Sequence, residues 1–124
     1  MRCDAPDAEE DVTLGAILVS PNHPNKYGPS STCFTTVKLG LNDKIVLYFL
    51  SFEIEPIDLL ISEDCLDYLE ISSVSSSNSQ VVDRVCGKGT PGPLAIDANT
   101  VRLKFHSNTE KSYHGFKIKV EKGK

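Results

Sequence analysis

The chain has 124 residues, 13 Lys and Arg against 17 Asp and Glu, a formal charge of −4, and 40% hydrophobic residues. That length is one domain's worth, enough to bury a core of its own, and the whole of 1–124 is read as one domain with its core in 3–120. The mild acidic balance excludes a nucleic-acid footprint, and apolar runs such as residues 45–50 fall far short of the roughly 20 residues of a membrane span.

Met1 is followed directly by Arg2 and Cys3, without the apolar stretch of a signal peptide. The start is expected to be that of a mature chain or an excised domain, with further modules in a larger natural protein. Residues 16–19, 34–39 and 45–54 are rich in β-branched and aromatic residues and bounded by Gly, Pro, Asn or Asp, which predicts strands. In the third, both faces are apolar at first. The pattern then continues inward at Leu50, Phe52 and Ile54, with Ser51, Glu53 and Glu55 opposite, so the strand carries its acidic residues to a rim. Residues 56–63, opened by Pro56, form the single short helical candidate. Residues 68–71 and 81–85 read as further strands, and the polar stretch 72–79 between them as an exposed loop.

Period-two alternation is clearest near the C-terminus. Val101, Leu103 and Phe105 alternate with Arg102, Lys104 and His106, and Phe116, Ile118 and Val120 alternate with Lys117, Lys119 and Glu121. The polar residues 107–115 between them predict a hairpin that pairs the two strands. At least seven short strands separated by turn signals indicate an all-β antiparallel sandwich or barrel with little helix.

Cysteines stand at positions 3, 33, 65 and 86, and none of the gaps has the two-residue spacing of zinc knuckles or thioredoxin-type sites. An even number of well-spread cysteines in a chain this short reads as two disulfides, formed in an oxidising compartment outside the cytosol. Of the three possible pairings, Cys3–Cys33 with Cys65–Cys86 closes the shortest loops, each bridge contributing roughly 3 kcal/mol on a chain-entropy estimate. No Asn-X-Ser/Thr sequon occurs, so the segment is not expected to be N-glycosylated.

If the last two strands pair, their solvent faces bring Lys104 opposite Lys117 and Arg102 opposite Lys119. That is a basic patch that would suit a polyanion such as a sulfated glycan. An enzyme is not expected. His23 lies in a Pro-Asn-His-Pro turn, His106 on an exposed strand face and His114 in the loop, the serines cluster at 72–79, and all four cysteines are assigned to disulfides.

The motifs also occur in a recognisable order. Gly15 precedes Ser20-Pro21-Asn22-His23-Pro24-Asn25-Lys26-Tyr27, then come Cys33 and Leu47-Tyr48-Phe49-Leu50-Ser51-Phe52-Glu53-Ile54-Glu55. Cys65-Leu66-Asp67-Tyr68-Leu69-Glu70-Ile71, Cys86-Gly87, Leu103-Lys104-Phe105-His106-Ser107-Asn108 and Gly115-Phe116 follow. In this order, from Cys3 to Val120, the chain resembles a CUB domain. Three departures stand out against that family: Phe34 where tryptophan is usual, Asp67 two residues after Cys65 where three is common, and an apparent insertion over 56–64.

The resemblance implies a jelly-roll-like sandwich of two antiparallel sheets, with the cysteines joined first to second and third to fourth. It also implies a calcium ion at one end of the sandwich. The family's glutamate maps to Glu55, its first aspartate to Asp67 and its second to Asn108, with a loop carbonyl after Asn108 and Tyr27 as the supporting tyrosine. Asp58, Glu63 and Asp64 are alternative acidic ligands that would offset the charge lost at Asn108. Calcium takes six to eight oxygens, preferably anionic, so the set is chemically sensible.

The implied function is that of a secreted, non-catalytic recognition module, binding calcium-dependently to an extracellular protein that presents Lys or Arg to the acidic rim. The alternatives are the sulfated-glycan patch of Arg102, Lys104, Lys117 and Lys119, or a calcium-free structural CUB domain of a larger secreted protein.

Overall fold

Alternation builds two packed sheets. The computed structural model describes residues 2–3 and 10–12 as strand backbone, and residues 14–57, 59–60, 64–75, 78–108 and 113–123 in full. In chain order the strands are β1 (Arg2–Cys3), β2 (Glu10–Val12), β3 (Ile17–Val19), β4 (Thr32–Lys38), β5 (Ile45–Ile54) and β6 (Tyr68–Val74). They continue with β7 (Ser79–Val85), β8 (Gly87–Lys88), β9 (Leu94–Ile96), β10 (Thr100–His106) and β11 (Gly115–Lys122). One sheet runs β1-β4-β10-β6-β7, with β2 lying parallel against β4; the other runs β3-β11-β5-β8, with β9 also on β5. All other pairings are antiparallel.

The core lies between the sheets. Val101, Leu103 and Phe105 of β10 and Phe116, Ile118 and Val120 of β11 are all completely buried, together with Ile45, Leu47, Leu69 and Ile71. Each such side chain contributes about 1.5–3 kcal/mol when taken out of water. Phe105 meets Phe116 edge-on across the layer, ring centroids 5.7 Å apart. Gly115 opens β11 at φ +82°, and a Cβ there would collide with the side chain of Ser20, whose Oγ accepts the Phe116 N–H at 3.0 Å.

Four expectations are corrected. First, β10 and β11 do not form a hairpin. β10 pairs with β4 and β6, and β11 with β3 and β5, so the two strands lie in different sheets. Both strands are apolar on one face only, and stacking those faces buries them more completely than edge-to-edge pairing would.

Second, the basic patch is therefore divided. Arg102 and Lys104 lie on the outside of one sheet, opposite Thr36 and Phe34 of β4, while Lys117 and Lys119 lie on the outside of the other, opposite Ser51 and Tyr48 of β5. Arg102 stacks over Phe34, Lys104 sits over Tyr68, and Lys119 pairs with Glu121 at 3.0 Å.

Third, Leu50 does not face inward but is 50% exposed. The β5–β11 register passes from Lys117↔Ser51 to Ile118↔Phe49, so Leu50 is an extra residue that resets the phase of β5. Fourth, residues 72–74 and 79 are strand and not loop, the facing ends of paired β6 and β7. β6 reaches Val74, β7 starts at Ser79, and Ser75 and Asn78 exchange backbone hydrogen bonds of 2.8 and 3.3 Å around the turn. Serines at strand ends read as loop because alternation is invisible where both faces are polar.

Cys65 and Cys86 form a disulfide across the open end of the β6–β7 pair, Cα atoms 6.0 Å apart. Cys33 is also disulfide-bonded, and its register partner on β1 is Cys3, whose side chain lies outside the described residues. Of the helical candidate 56–63, Leu59 and Leu60 form a turn, while 58 and 61–63 lie outside the described residues. No helix among the described residues is long and apolar enough to cross a membrane.

Candidate metal centre

Tyr27 organises one end of the sandwich. It lies in the β3–β4 connection, yet it is only 1% exposed and packs edge-on against Phe105 at 4.8 Å. That placement delivers its hydroxyl to Asp67 Oδ2, to which it donates at 2.6 Å, while the hydroxyl oxygen accepts the Glu55 N–H at 3.3 Å. Burial, reinforced by the hydrogen bond to Asp67, pushes the Tyr27 phenol above its ordinary range, so it stays a donor.

Asp67 precedes β6 and is completely buried. Its second oxygen, Oδ1, accepts the Asn108 N–H at 2.6 Å. Asn108 follows β10, and its side-chain Nδ2 donates to Glu55 Oε2 at 3.0 Å. Glu55 follows β5 of the opposite sheet and is 5% exposed. The four residues singled out from the sequence, Glu55, Asp67, Asn108 and Tyr27, thus meet in one hydrogen-bonded chain that ties the two sheets together. The shortened spacing between Cys65 and Asp67 does not move the carboxylate out of reach.

Of the alternative ligands, Asp64 is the one among the described residues. Asp64 is exposed, and among the described residues no three His, Cys, Asp or Glu side chains converge on a common point. Asp64 also contributes to holding the Arg84 guanidinium charged, after the Glu70 carboxylate at 2.8 Å. Asp58, Glu63 and the loop 109–112 that would supply the carbonyl lie outside the described residues.

Sequence reasoning missed the seam beneath the site. Ser107 is 1% exposed, donates through Oγ to Gly28 O at 2.9 Å and accepts the Ser31 N–H at 2.8 Å. Ser30 N–H donates to Asn108 O at 2.7 Å, and Tyr27 N–H to Tyr113 O at 3.0 Å. These bonds fix the Tyr27 loop against the crossover that carries Asn108. The one signal available was the position of Ser107 in the inward phase of β10, continuing Val101, Leu103 and Phe105, where a polar residue must find partners.

The donor chemistry is hard and entirely oxygen: two carboxylates and an amide carbonyl, without thiol or imidazole. That fits calcium better than a transition metal, although the described set carries two negative charges and not three.

A family model described as CUB domain matches residues 10–120, and the chain belongs to that family. Cubilin of Rattus norvegicus is 31% identical over 107 residues, covering 86% of this chain and 3% of cubilin. Neuropilin-1a of Danio rerio is 32% identical over 113 residues, covering 89% of this chain and 12% of that protein. This chain therefore spans a small part of the curated relatives it matches. Among solved structures, the MASP-1 CUB2 domain bound to Ca2+ superposes with a TM-score of 0.74 at 24% identity, covering 88% of this chain and 96% of that domain. CUB domains are non-catalytic interaction modules that occur in secreted and extracellular proteins and in ectodomains.

Proposed function

We propose that this CUB domain is an extracellular recognition module that holds calcium between Glu55, Asp67 and Asn108 and docks a Lys or Arg of a protein partner on the rim of that site. The observation that carries the reading is the convergence of Glu55 and Asp67, from opposite sheets and at 5% and 0% exposure, on one hydrogen-bonded chain. Buried carboxylates brought together repel unless donors or a cation stand between them. A solved domain of the same fold binds Ca2+, so the architecture accommodates the ion.

Calcium at this position supplies the charge that holds both carboxylates in one orientation. The chain's own groups do the rest: Tyr27 and the Asn108 backbone orient Asp67, and the rigid strand ends hold Glu55 beside it. An incoming ammonium or guanidinium then finds acceptors already ordered, so little conformational entropy is lost on docking.

One observation favours a calcium-free reading. The Asn108 amide donates to Glu55 from the position at which the family carries an aspartate, and so relieves part of the repulsion a cation would otherwise relieve. Thermal melting in calcium and in chelator separates the two. Calcium is expected to raise the wild-type melting temperature, and Asp67→Ala to abolish that rise. Identical wild-type curves would overturn the metal site and leave the calcium-free module.

A further inference from the structure

The turn beyond Pro56 carries large aliphatic side chains that the fold does not bury. Ile57, Leu59 and Leu60 are 44%, 78% and 97% exposed, and all lie within five residues of Glu55. Elsewhere, Leu14, Ile17 and Leu41 are exposed at separated positions of the chain. Tyr48 and Leu50 share their shallow hollow with Lys119, Glu121 and Lys122, and Val81 and Val82 belong to the edge strand β7. In the turn, three large aliphatics crowd into four consecutive positions. Clusters of this kind on a soluble domain mark contact surfaces.

We infer that Ile57, Leu59 and Leu60 are an apolar anchor for an extracellular protein partner, fitting a pocket on it that is bordered by basic side chains. The inference deepens the recognition proposal above and rests on it: the anchor and the Glu55 rim are adjacent on the chain, so one partner engages both.

The chemistry of the segment selects this occupant over two others. Residues 55–64 contain four carboxylates, Glu55, Asp58, Glu63 and Asp64, and no Lys or Arg. An anionic bilayer surface repels such a segment. A second copy docking by the same turn across a twofold axis would bring identical carboxylates together. A protein surface with an apolar pocket and basic surroundings instead complements both the leucines and the carboxylates. It also matches the ammonium or guanidinium that the rim is proposed to receive.

The test pans a phage-displayed library of random linear peptides on the domain in calcium. Selected peptides are then measured against wild type, Leu59→Ser/Leu60→Ser and Asp67→Ala. Selected peptides are expected to combine Lys or Arg with a large apolar residue, and the double serine variant to weaken them tenfold or more, since removing two apolar anchors is worth at least about that factor. The melting temperature of the double variant is expected to stay unchanged because both leucines face solvent; a marked fall would mean that they pack internally and would overturn the inference.

Peptides that need calcium and Asp67 but ignore the leucines would sink the anchor while sparing the rim. Peptides that need the leucines but ignore chelator would support the anchor and sink the rim. Cosedimentation with phosphatidylcholine–phosphatidylserine vesicles, or a dimer in sedimentation velocity, lost in either case in the double variant, would overturn the protein partner in favour of a bilayer or a second copy.

Discussion

Glu53 and Glu55 stand two residues apart at the same end of β5, and the same crossover between β10 and β11 supplies a partner to each. His114 meets Glu53 through Nδ1 at 3.0 Å, and Asn108 meets Glu55 through Nδ2 at 3.0 Å. The lengths match, but the surroundings do not: the Glu53 side chain is 36% exposed, while Glu55 as a whole is 5% exposed. At Glu53 water competes with the imidazole and replaces it at little cost. Glu55 and Asp67 are buried away from bulk solvent, and each missing donor leaves a buried group unsatisfied. Nearly identical contacts are thus expected to differ several-fold in worth, and the exposed pair serves as an internal control for the buried cluster.

The comparison breaks hardest at Asp67. Asp67→Ala strands the Tyr27 hydroxyl and the Asn108 N–H, and is expected to cost about 2–5 kcal/mol in urea unfolding even in chelator. A loss below half a kcal/mol would show that the buried end is no more demanding than the exposed one. Tyr27→Phe removes the donor to Asp67 and the acceptor of the Glu55 N–H while keeping the ring against Phe105, with an expected loss of roughly 1–3 kcal/mol in the same assay.

Asn108→Asp sharpens the contrast through a change of sign. In chelator the new carboxylate faces Glu55 and destabilises by about 1–2 kcal/mol; in calcium it tightens binding, read by titration calorimetry. Unchanged calcium affinity would mean that another group already fills that coordination position.

The smallest effect is expected at Glu53, where Glu53→Gln should stay within about 0.5 kcal/mol. Its carboxyl is held below the usual value chiefly by the hydrogen bond from His114. A depressed carboxyl stabilises the fold at neutral pH and loses that contribution as pH falls through its lowered range. His114→Ala should therefore flatten the acid limb of the stability profile slightly and leave calcium binding untouched.

Much of this site was legible from sequence because its residues sit at strand ends in a fixed order. Glu55, Asp67, Asn108 and Tyr27 were picked out by their order along the chain, despite the altered spacing at Asp67 and the amide at 108, and the strands carry that order into space. The alternation of β10 and β11 likewise foretold which side chains are buried. It did not foretell their partners, because a period of two specifies a face and is silent on whether that face closes against a neighbour in its own sheet or against the other sheet. The basic patch failed for that reason alone: Lys104 and Lys117 do face solvent, on opposite sides of the molecule. The short strands β8 and β9 escaped notice because two or three residues carry too little pattern, and Ser107 because a buried hydroxyl looks like any loop serine.

Leu50 is not one of the residues of the Glu55–Asp67 cluster, yet it sets what arrives there. Upstream of it, β5 buries Ile45, Leu47 and Phe49; downstream, it buries Phe52 and Ile54. The strand is thus read in two frames, odd residues inward and then even, with the switch at one inserted position. Drawing that residue into a regular ladder, with no bulge, would act on side-chain facing as a frameshift acts on codons. Every downstream residue would keep its identity and exchange its side, and Glu53 would be carried toward the core in place of Phe52. The chemistry of the rim is therefore specified jointly by the residues that form it and by a spacer several positions away.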